Sequence, residues 1–275
     1  MRVAEALARE AGQRMLRARR GGIEIEYKGT NDLVTNVDRE VERFLRGELR
    51  AMFPSDGIMG EEYGEREGEA GPNRQWLIDP IDGTTNFSRG IPTFCVSIAL
   101  QVHGHTAAAA IYDPNLDELF SARRGGGATL NGRPMHVSET ERMRDAMQVT
   151  GFPPLKSGDT FETIIQRLGQ MIGASRGVRR FGSAAMDLAY VAEGRLDGFW
   201  EFDLNPWDTA AGYLLVEEAG GRVSDVHGNM FSAHEASVVA TNGVLHDKAL
   251  ELLRQVTGGP TLPTPRDVPE EEAPI

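Results

Sequence analysis

A chain of 275 residues has room for two domains or one large α/β unit, and 40% of it in the AVILMFWYC set, with 32 Gly and 14 Pro, supports a folded core rather than a low-complexity segment. Lys+Arg 29 against Asp+Glu 41 leaves a net charge of -12, a field that disfavours nucleic acid and membranes as partners and, at first sight, phosphorylated substrates too. The single cysteine, Cys95, excludes intramolecular disulfides and lies as a small hydrophobe in an apolar run, 91–102, too short to span a bilayer; with no apolar signal core in the first twelve residues, a soluble cytoplasmic protein is expected.

Val3, Leu7, Ala11 and Met15 recur every four residues and predict an amphipathic helix that Gly21-Gly22 stops. Ile23, Ile25 and Tyr27 then alternate as a short strand, and Val37, Val41, Phe44, Leu45 and Leu49 mark a second helix ending near Pro54. Strands follow at 75–79, 94–102, 106–112, 118–122 and 128–130, separated by turn signals at Gly104, Pro114-Asn115 and Gly125-Gly126-Gly127. That spacing predicts an antiparallel meander under the two helices. Beyond about Glu139 helix and strand alternate: strands at 147–151, 199–202, 222–225 and 238–240, helices at 161–172, 183–193, 208–219 and 245–255. The change of rhythm predicts an N-terminal α+β domain, 1–139, and a C-terminal α/β domain, 140–257. The Pro- and Glu-rich residues 258–275 read as a disordered tail.

The densest chemistry lies in Trp76-Leu77-Ile78-Asp79-Pro80-Ile81-Asp82-Gly83-Thr84-Thr85-Asn86-Phe87. An apolar strand runs into Asp79, Pro80 has no N–H for a sheet ladder, and Gly83 permits a tight turn, so Asp79 and Asp82 converge. Two carboxylates placed this way repel unless a cation lies between them, and an all-oxygen site suits Mg²⁺. An Asx-type turn, with both aspartates capping local N–H groups, accounts for the same spacing. Other acidic features have plain readings when taken singly. Glu61 and Glu62 open a run of five acids and one Arg through residue 69, the composition of a solvated loop. Asp208, behind Pro206, and Asp38, at the head of the second helix, stand where N-caps stand. Glu201 reads as a surface acid at a strand end, and Arg179-Arg180 as a solvated pair rather than an attractor of phosphate. The six His show no metal-ligand spacing on one face, and Gly125-Gly126-Gly127 lacks the Lys-Ser/Thr of a P-loop, which argues against zinc and nucleoside triphosphates.

In combination these segments resemble the inositol monophosphatase family of Mg²⁺-dependent phosphomonoesterases. Its two signatures stand at 76–87 and 207–212, Gly60-Glu61-Glu62 precedes the first, and the resemblance spans about 3–255. It implies a layered αβαβα sandwich and two Mg²⁺ ions, one held by Glu61, Asp79 and the carbonyl of Ile81, the other by Asp79, Asp82 and Asp208. By the same resemblance Thr84 orients the attacking water, Asp38 accepts its proton, and the N–H groups of Gly83 and Thr84 face the phosphate. Gly182, Ser183, Ala184 and Glu201 would contact the substrate's hydroxyls, and Lys28 would stand near the metals. A homodimer is expected.

The activity so implied is hydrolysis of inositol 1-phosphate to myo-inositol and phosphate by metal-activated water. The alternatives are fructose 1,6-bisphosphatase, a 3′(2′),5′-bisphosphate nucleotidase or histidinol-phosphatase, and, from a different class, a regulatory or RNA-processing partner protein. The net charge does not exclude a phosphorylated substrate on this reading. Two Mg²⁺ would balance Glu61, Asp79, Asp82 and Asp208, so part of the acidity is metal-binding apparatus.

Overall fold

The computed structural model describes residues 1–27, 33–66, 68, 73–152 and 161–255; Lys28 and the 258–275 segment lie outside them. Helix α1 (Arg2–Gly21) buries Ala4, Leu7, Ala8, Ala11 and Met15, and α2 (Asn36–Met52) buries Val37, Val41, Leu45 and Leu49, each along the one stripe its periodicity predicts. Between them β1 (Ile25–Tyr27) pairs antiparallel with β2 (Leu33–Thr35), and every β1 side chain is exposed. The alternation of Ile25 and Tyr27 therefore marks no buried face.

The first sheet contains β3 (Gly57–Gly60), β4 (Gly64–Arg66), β5 (Arg74–Asp82), β6 (Cys95–Val102), β7 (His105–Asp113), β8 (Glu118–Arg123), β9 (Ala128–Leu130) and β10 (Arg133–Pro134). Their order is β10-β9-β8-β7-β6-β5-β3-β4. The expected antiparallel meander holds from β5 to β10, but β3 runs parallel to β5. The acidic stretch after Gly60 is, in its described part, the turn and second strand of a β3–β4 hairpin rather than a solvated loop. Gly57-Ile58-Met59-Gly60 is too short and too rich in glycine for alternation to reveal it.

Strand β5 sends Trp76 and Ile78 into the core beneath α1 and α2 and Leu77 into the core on its opposite face. On that face lie α5 (Ala184–Ala192) and α6 (Pro206–Glu218), and beyond them the second sheet. Its strands β11 (Met147–Thr150), β12 (Gly177–Arg179), β13 (Gly198–Phe202), β14 (Arg222–Ser224) and β15 (Ser237–Thr241) take the order β12-β11-β13-β15-β14. Phe199, Val238 and Ala240 face the central helices, while Trp200 and Val239 face α4 (Phe161–Ala174) and α7 (His246–Arg254). Five layers, αβαβα, follow from these alternations, the architecture that the resemblance implies.

Because α6 lies between two sheets, all residues from Thr209 to Val216 are buried and the helix has no polar face. Gly212 allows the close crossing of α5, since a Cβ there would stand 2.5 Å from the Leu188 side chain. The end of α6 is tied to the first sheet by Glu218, whose carboxylate accepts from the N–H groups of Gly125, Gly126 and Gly127 at 2.7, 3.1 and 2.8 Å. The triglycine turn is thus an anion nest filled by the protein's own side chain. Among the described residues no helix is long and apolar enough to cross a membrane.

His246, fully buried at the start of α7, closes a network in which each proton has one destination. Ser224 donates to the Asp225 carbonyl at 2.7 Å, so His246 Nε2–H donates to Ser224 Oγ at 2.9 Å and Nδ1 accepts from Thr241 Oγ1 at 3.1 Å. The ring is held neutral: burial, reinforced by Arg222 and Arg254, pushes its pKa down to about 4. The unfolded chain then binds the extra proton more readily, so the penalty is absent above about pH 6.5, grows as pH falls and is complete below about pH 4. It amounts at most to about 3 kcal/mol. Thermal melts across that window should show Tm falling with pH, and His246→Gln should flatten part of the slope. An unchanged slope would remove His246 as the cause.

Candidate active site

At its C-terminal end β5 loses register with β6 between Asp79 and Asp82, because Pro80 has no N–H to give the ladder. The Ile81 N–H turns back instead to Asp79 Oδ1 at 3.0 Å. Gly83 follows with φ +96, and a Cβ there would meet the Thr93 carbonyl at 2.9 Å, so both conformation and space require glycine. Helix α3 (Thr84–Arg89) begins at once. Its Asn86 Nδ2 reaches the Thr93 and Phe181 carbonyls at 2.8 and 2.7 Å, joining this turn to the segment that leads into α5.

Helix α2 contributes Asp38, though not as the N-cap. Thr35 caps the helix, and Asp38 closes the capping box by accepting from the Thr35 N–H and hydroxyl through Oδ2 at 2.8 and 2.5 Å. Its Oδ1 stands 3.1 Å from Thr84 Oγ1, which also lies 2.9 Å from the Ile81 carbonyl oxygen. Burial pushes the Asp38 carboxyl up, against these hydrogen bonds.

One turn along α2, Glu42 and Arg46 form a buried ion pair, Arg46 Nε donating to Glu42 Oε1 at 2.7 Å. Glu42 also accepts from the backbone N–H groups of Glu62 and Tyr63 at 2.6 and 3.2 Å, and Arg46 donates to the Gly64 carbonyl. Gly60 must lack a Cβ because one would stand 2.4 Å from Glu42 Oε1. The residues on both sides of Glu61 are therefore held by α2.

Across the cleft, Asp82 Oδ2 accepts from Ser183 Oγ at 2.7 Å and from the Ala185 N–H at 2.6 Å, so the N-terminus of α5 faces this carboxylate. Cys95 lies behind it, fully buried, with Sγ 3.8 Å from Asp82 Oδ2. Burial and the Asp82 charge raise the thiol well above its ordinary range, which fits the reading of Cys95 as an inert core residue. Asp208 is the third residue of α6, behind Asn205 as N-cap and Pro206, and its Oδ2 accepts the Asn205 N–H at 2.7 Å. Glu201 is neither terminal in its strand nor at the surface: it is 7% exposed within β13, and burial with the Asp208 and Asp82 charges raises its pKa to about 8. It packs so closely under Gly151 that a Cβ there would stand 2.0 Å from Glu201 Oε1.

A cleft of about 290 Å³ collects these groups, with Glu61, Asp79, Ile81, Asp82, Gly83 and Thr84 from the first sheet and Gly182, Ser183, Ala184, Glu201 and Asp208 from the second half. Asp38 stands behind Thr84. Arg180, expected to be solvated beside Arg179, also lines the cleft, as does Asp187 of α5, which carries no signal in the sequence. No spacing rule reveals either, since both owe their place to how α5 sits between the sheets.

Burial first, and then the like charges of Glu61, Asp82, Asp208 and Asp38, raise the Asp79 carboxyl well above the usual range. This all-oxygen, mutually repelling donor set suits a hard divalent cation in chemistry. Among the described residues no three acidic or imidazole side chains are gathered tightly enough to close around an ion as they stand. The set converges on one cleft without forming a finished coordination shell.

Comparison with known proteins agrees with this architecture. The inositol monophosphatase family model matches residues 1–257. An inositol-1-monophosphatase of Rhizobium meliloti (strain 1021) is 43% identical over 238 residues, 86% of each chain. The Nus factor SuhB of Escherichia coli (strain K12) is 46% identical over 220 residues, 80% of this chain and 82% of its own. Among solved structures, the extragenic suppressor protein suhB from Bartonella henselae superposes with a TM-score of 0.86 at 40% identity, covering 91% of this chain and 96% of that one. With a matching five-layer fold, a cleft rich in carboxylates and relatives above 40% identity over most of its length, this chain belongs to the inositol monophosphatase family.

Proposed function

We propose that the protein is a Mg²⁺-dependent phosphomonoesterase that hydrolyses inositol 1-phosphate to myo-inositol and phosphate. The observation that carries this reading is the convergence on Asp79 of Glu61, Asp82 and Asp208 in a cleft bounded by Glu201. Glu61, Asp79, Asp82, Asp208 and the Ile81 carbonyl would hold Mg²⁺, which when bound supplies Lewis acidity toward the phosphate and the leaving oxygen and acidifies water.

The chain's own groups divide the remaining work. Thr84 Oγ1 accepts a proton from the attacking water as its own proton passes to Asp38 Oδ1, 3.1 Å away. The water oxygen forms the new bond to phosphorus as the ester P–O bond breaks in line, the leaving alkoxide takes a proton from solvent water, and the proton gained by Asp38 returns to solvent. A raised Asp38 carboxyl is the stronger proton acceptor. The N–H groups of Gly83 and Thr84, at a turn opening into α3, suit the phosphate oxygens. Gly182, Ser183, Ala184 and Glu201 form the side from which a polyol is recognised. On this reading 1–139 and 140–257 are two domains with the site between them, and the protein is a cytoplasmic homodimer.

The test is kcat/KM with Mg²⁺ for inositol 1-phosphate, fructose 1,6-bisphosphate, a 3′,5′-bisphosphate nucleotide and histidinol phosphate. Inositol 1-phosphate should rank first, and a chelator should abolish turnover. A different leading substrate would replace the proposed one, and chelator-resistant turnover would remove the metal. A second reading follows from the relatives named Nus factor SuhB, a partner role independent of turnover. Asp82→Asn separates the two, since it should remove turnover while the amide oxygen keeps an acceptor for Ser183 and Ala185.

A further inference from the structure

One buried carboxylate in the cleft has no task in the scheme above. Asp187 sits in the first turn of α5, 1% exposed, and lines the cleft beside Glu201 and Arg180. Its Oδ1 has no hydrogen-bond partner within the protein. An unsatisfied buried acid works against folding, and nothing in the helix calls for one here: Met186 and Leu188 on either side are fully buried apolar residues. Beyond burial, the charges that act on it are those of Glu201 and Asp82, which oppose its ionisation, and of Arg180, which favours it without a hydrogen bond to its Oδ1.

What remains is a residue that lines the cleft with one carboxylate oxygen shielded from solvent and unpaired by the protein, a state that pairing with a ligand group would relieve. We propose that Asp187 is a substrate-specificity residue that pairs with a hydroxyl of a polyol phosphate, extending the recognition surface of Glu201 into a two-acid wall. The inference rests on the proposed phosphatase activity and adds a contact to it. A hydroxyl is the matching partner because it both donates and accepts, and so satisfies a carboxyl group in either protonation state. Placement supports a binding role rather than a chemical one: Asp187 belongs to the α5–β13 side with Glu201, whereas Asp38 and Thr84 lie together on the α2–α3 side. A site built to pair with a hydroxyl discriminates strongly against an ester that lacks it, because its own polar group is then left unpaired.

The experiment compares Asp187→Leu and Asp187→Asn with the unsubstituted enzyme on inositol 1-phosphate and on ethyl phosphate, which carries no free hydroxyl. Leucine should lower kcat/KM for inositol 1-phosphate by about 10- to 100-fold, chiefly through KM, and leave ethyl phosphate within about twofold. Asparagine, which keeps a hydrogen-bonding group, should lose less. Tm of Asp187→Leu should hold or rise, since an unsatisfied acid is removed. Equal losses on both esters, or no loss on either, would overturn the assignment, and if the leucine variant fails to fold the asparagine variant carries the same comparison. Inactivity of the unsubstituted enzyme on both esters would remove the phosphatase reading itself, and this contact with it.

Discussion

Asp79→Asn is expected to lower kcat/KM by on the order of a thousandfold or more while leaving the metal-free protein as stable as before, or more stable. Both halves of that expectation come from the same geometry. Asp79 is fully desolvated and faces Glu61, Asp82, Asp208 and Asp38, so its charged form is disfavoured in the folded state relative to the unfolded one. A raised carboxyl pKa means that folding at neutral pH works against this charge, and asparagine removes it while keeping an oxygen for the Ile81 N–H, 3.0 Å away in the parent. The proposed scheme uses that same repulsion to attract cations, so the loss falls on function. Differential scanning with and without Mg²⁺ checks it: the parent should gain Tm on adding Mg²⁺, and the variant should start at least as high and gain little. A variant that keeps parental turnover, or the full Mg²⁺-dependent rise, would remove Asp79 from the proposed ligand set.

The second large effect is expected at Glu42, which touches neither cleft nor substrate. Glu42→Ala leaves the Arg46 guanidinium buried without its partner and strips the Glu62 and Tyr63 N–H groups of their acceptor, at a cost of about 3–5 kcal/mol in chemical denaturation. Glu42→Gln keeps one acceptor and should cost less. Both should raise the Mg²⁺ concentration for half-maximal binding by about 10- to 100-fold, because the turn carrying Glu61 is no longer held by α2. Titration calorimetry with Mg²⁺ separates this from simple destabilisation. An unchanged Mg²⁺ midpoint in the glutamine variant would show that Glu42 serves the fold alone.

Much of the fold is legible in the chain because burial acts on periodic positions. The α1 and α2 stripes each bury one set of residues at helical spacing, and the strands from β5 to β8, buried on both faces for most of their length, survive in the sequence as apolar runs bounded by turn residues. Legibility fails where an element is too short for a period, as in β3, β4 and β12, whereas α6, buried on every side and without an apolar stripe, is still read from its Ala-rich run closed by Gly220-Gly221. The parallel pairing of β3 with β5 leaves no local trace, since it depends on a chain reversal outside both strands.

The site divides along the same line. Asp79, Asp82, Gly83 and Thr84 are readable because proline, glycine and paired acids within a few residues impose a turn through local sterics and charge. Asp38 and Asp208 look like helix caps in the sequence, and both do close capping boxes, as third helical residues behind Thr35 and Asn205. What the sequence by itself determined is this local chemistry: an acidic turn after an apolar strand, capped helices, and a composition that tolerates a phosphorylated ligand once part of its charge is set against bound cations. Only the tertiary structure decided that Glu201 is buried rather than a surface acid, that Arg180 lines the cleft, that Asp187 Oδ1 is buried without a hydrogen-bond partner, and that Glu42 holds the turn of Glu61. Each of those outcomes depends on desolvation by residues far away in the chain, and desolvation is set by packing between layers, which no spacing along one strand or helix encodes.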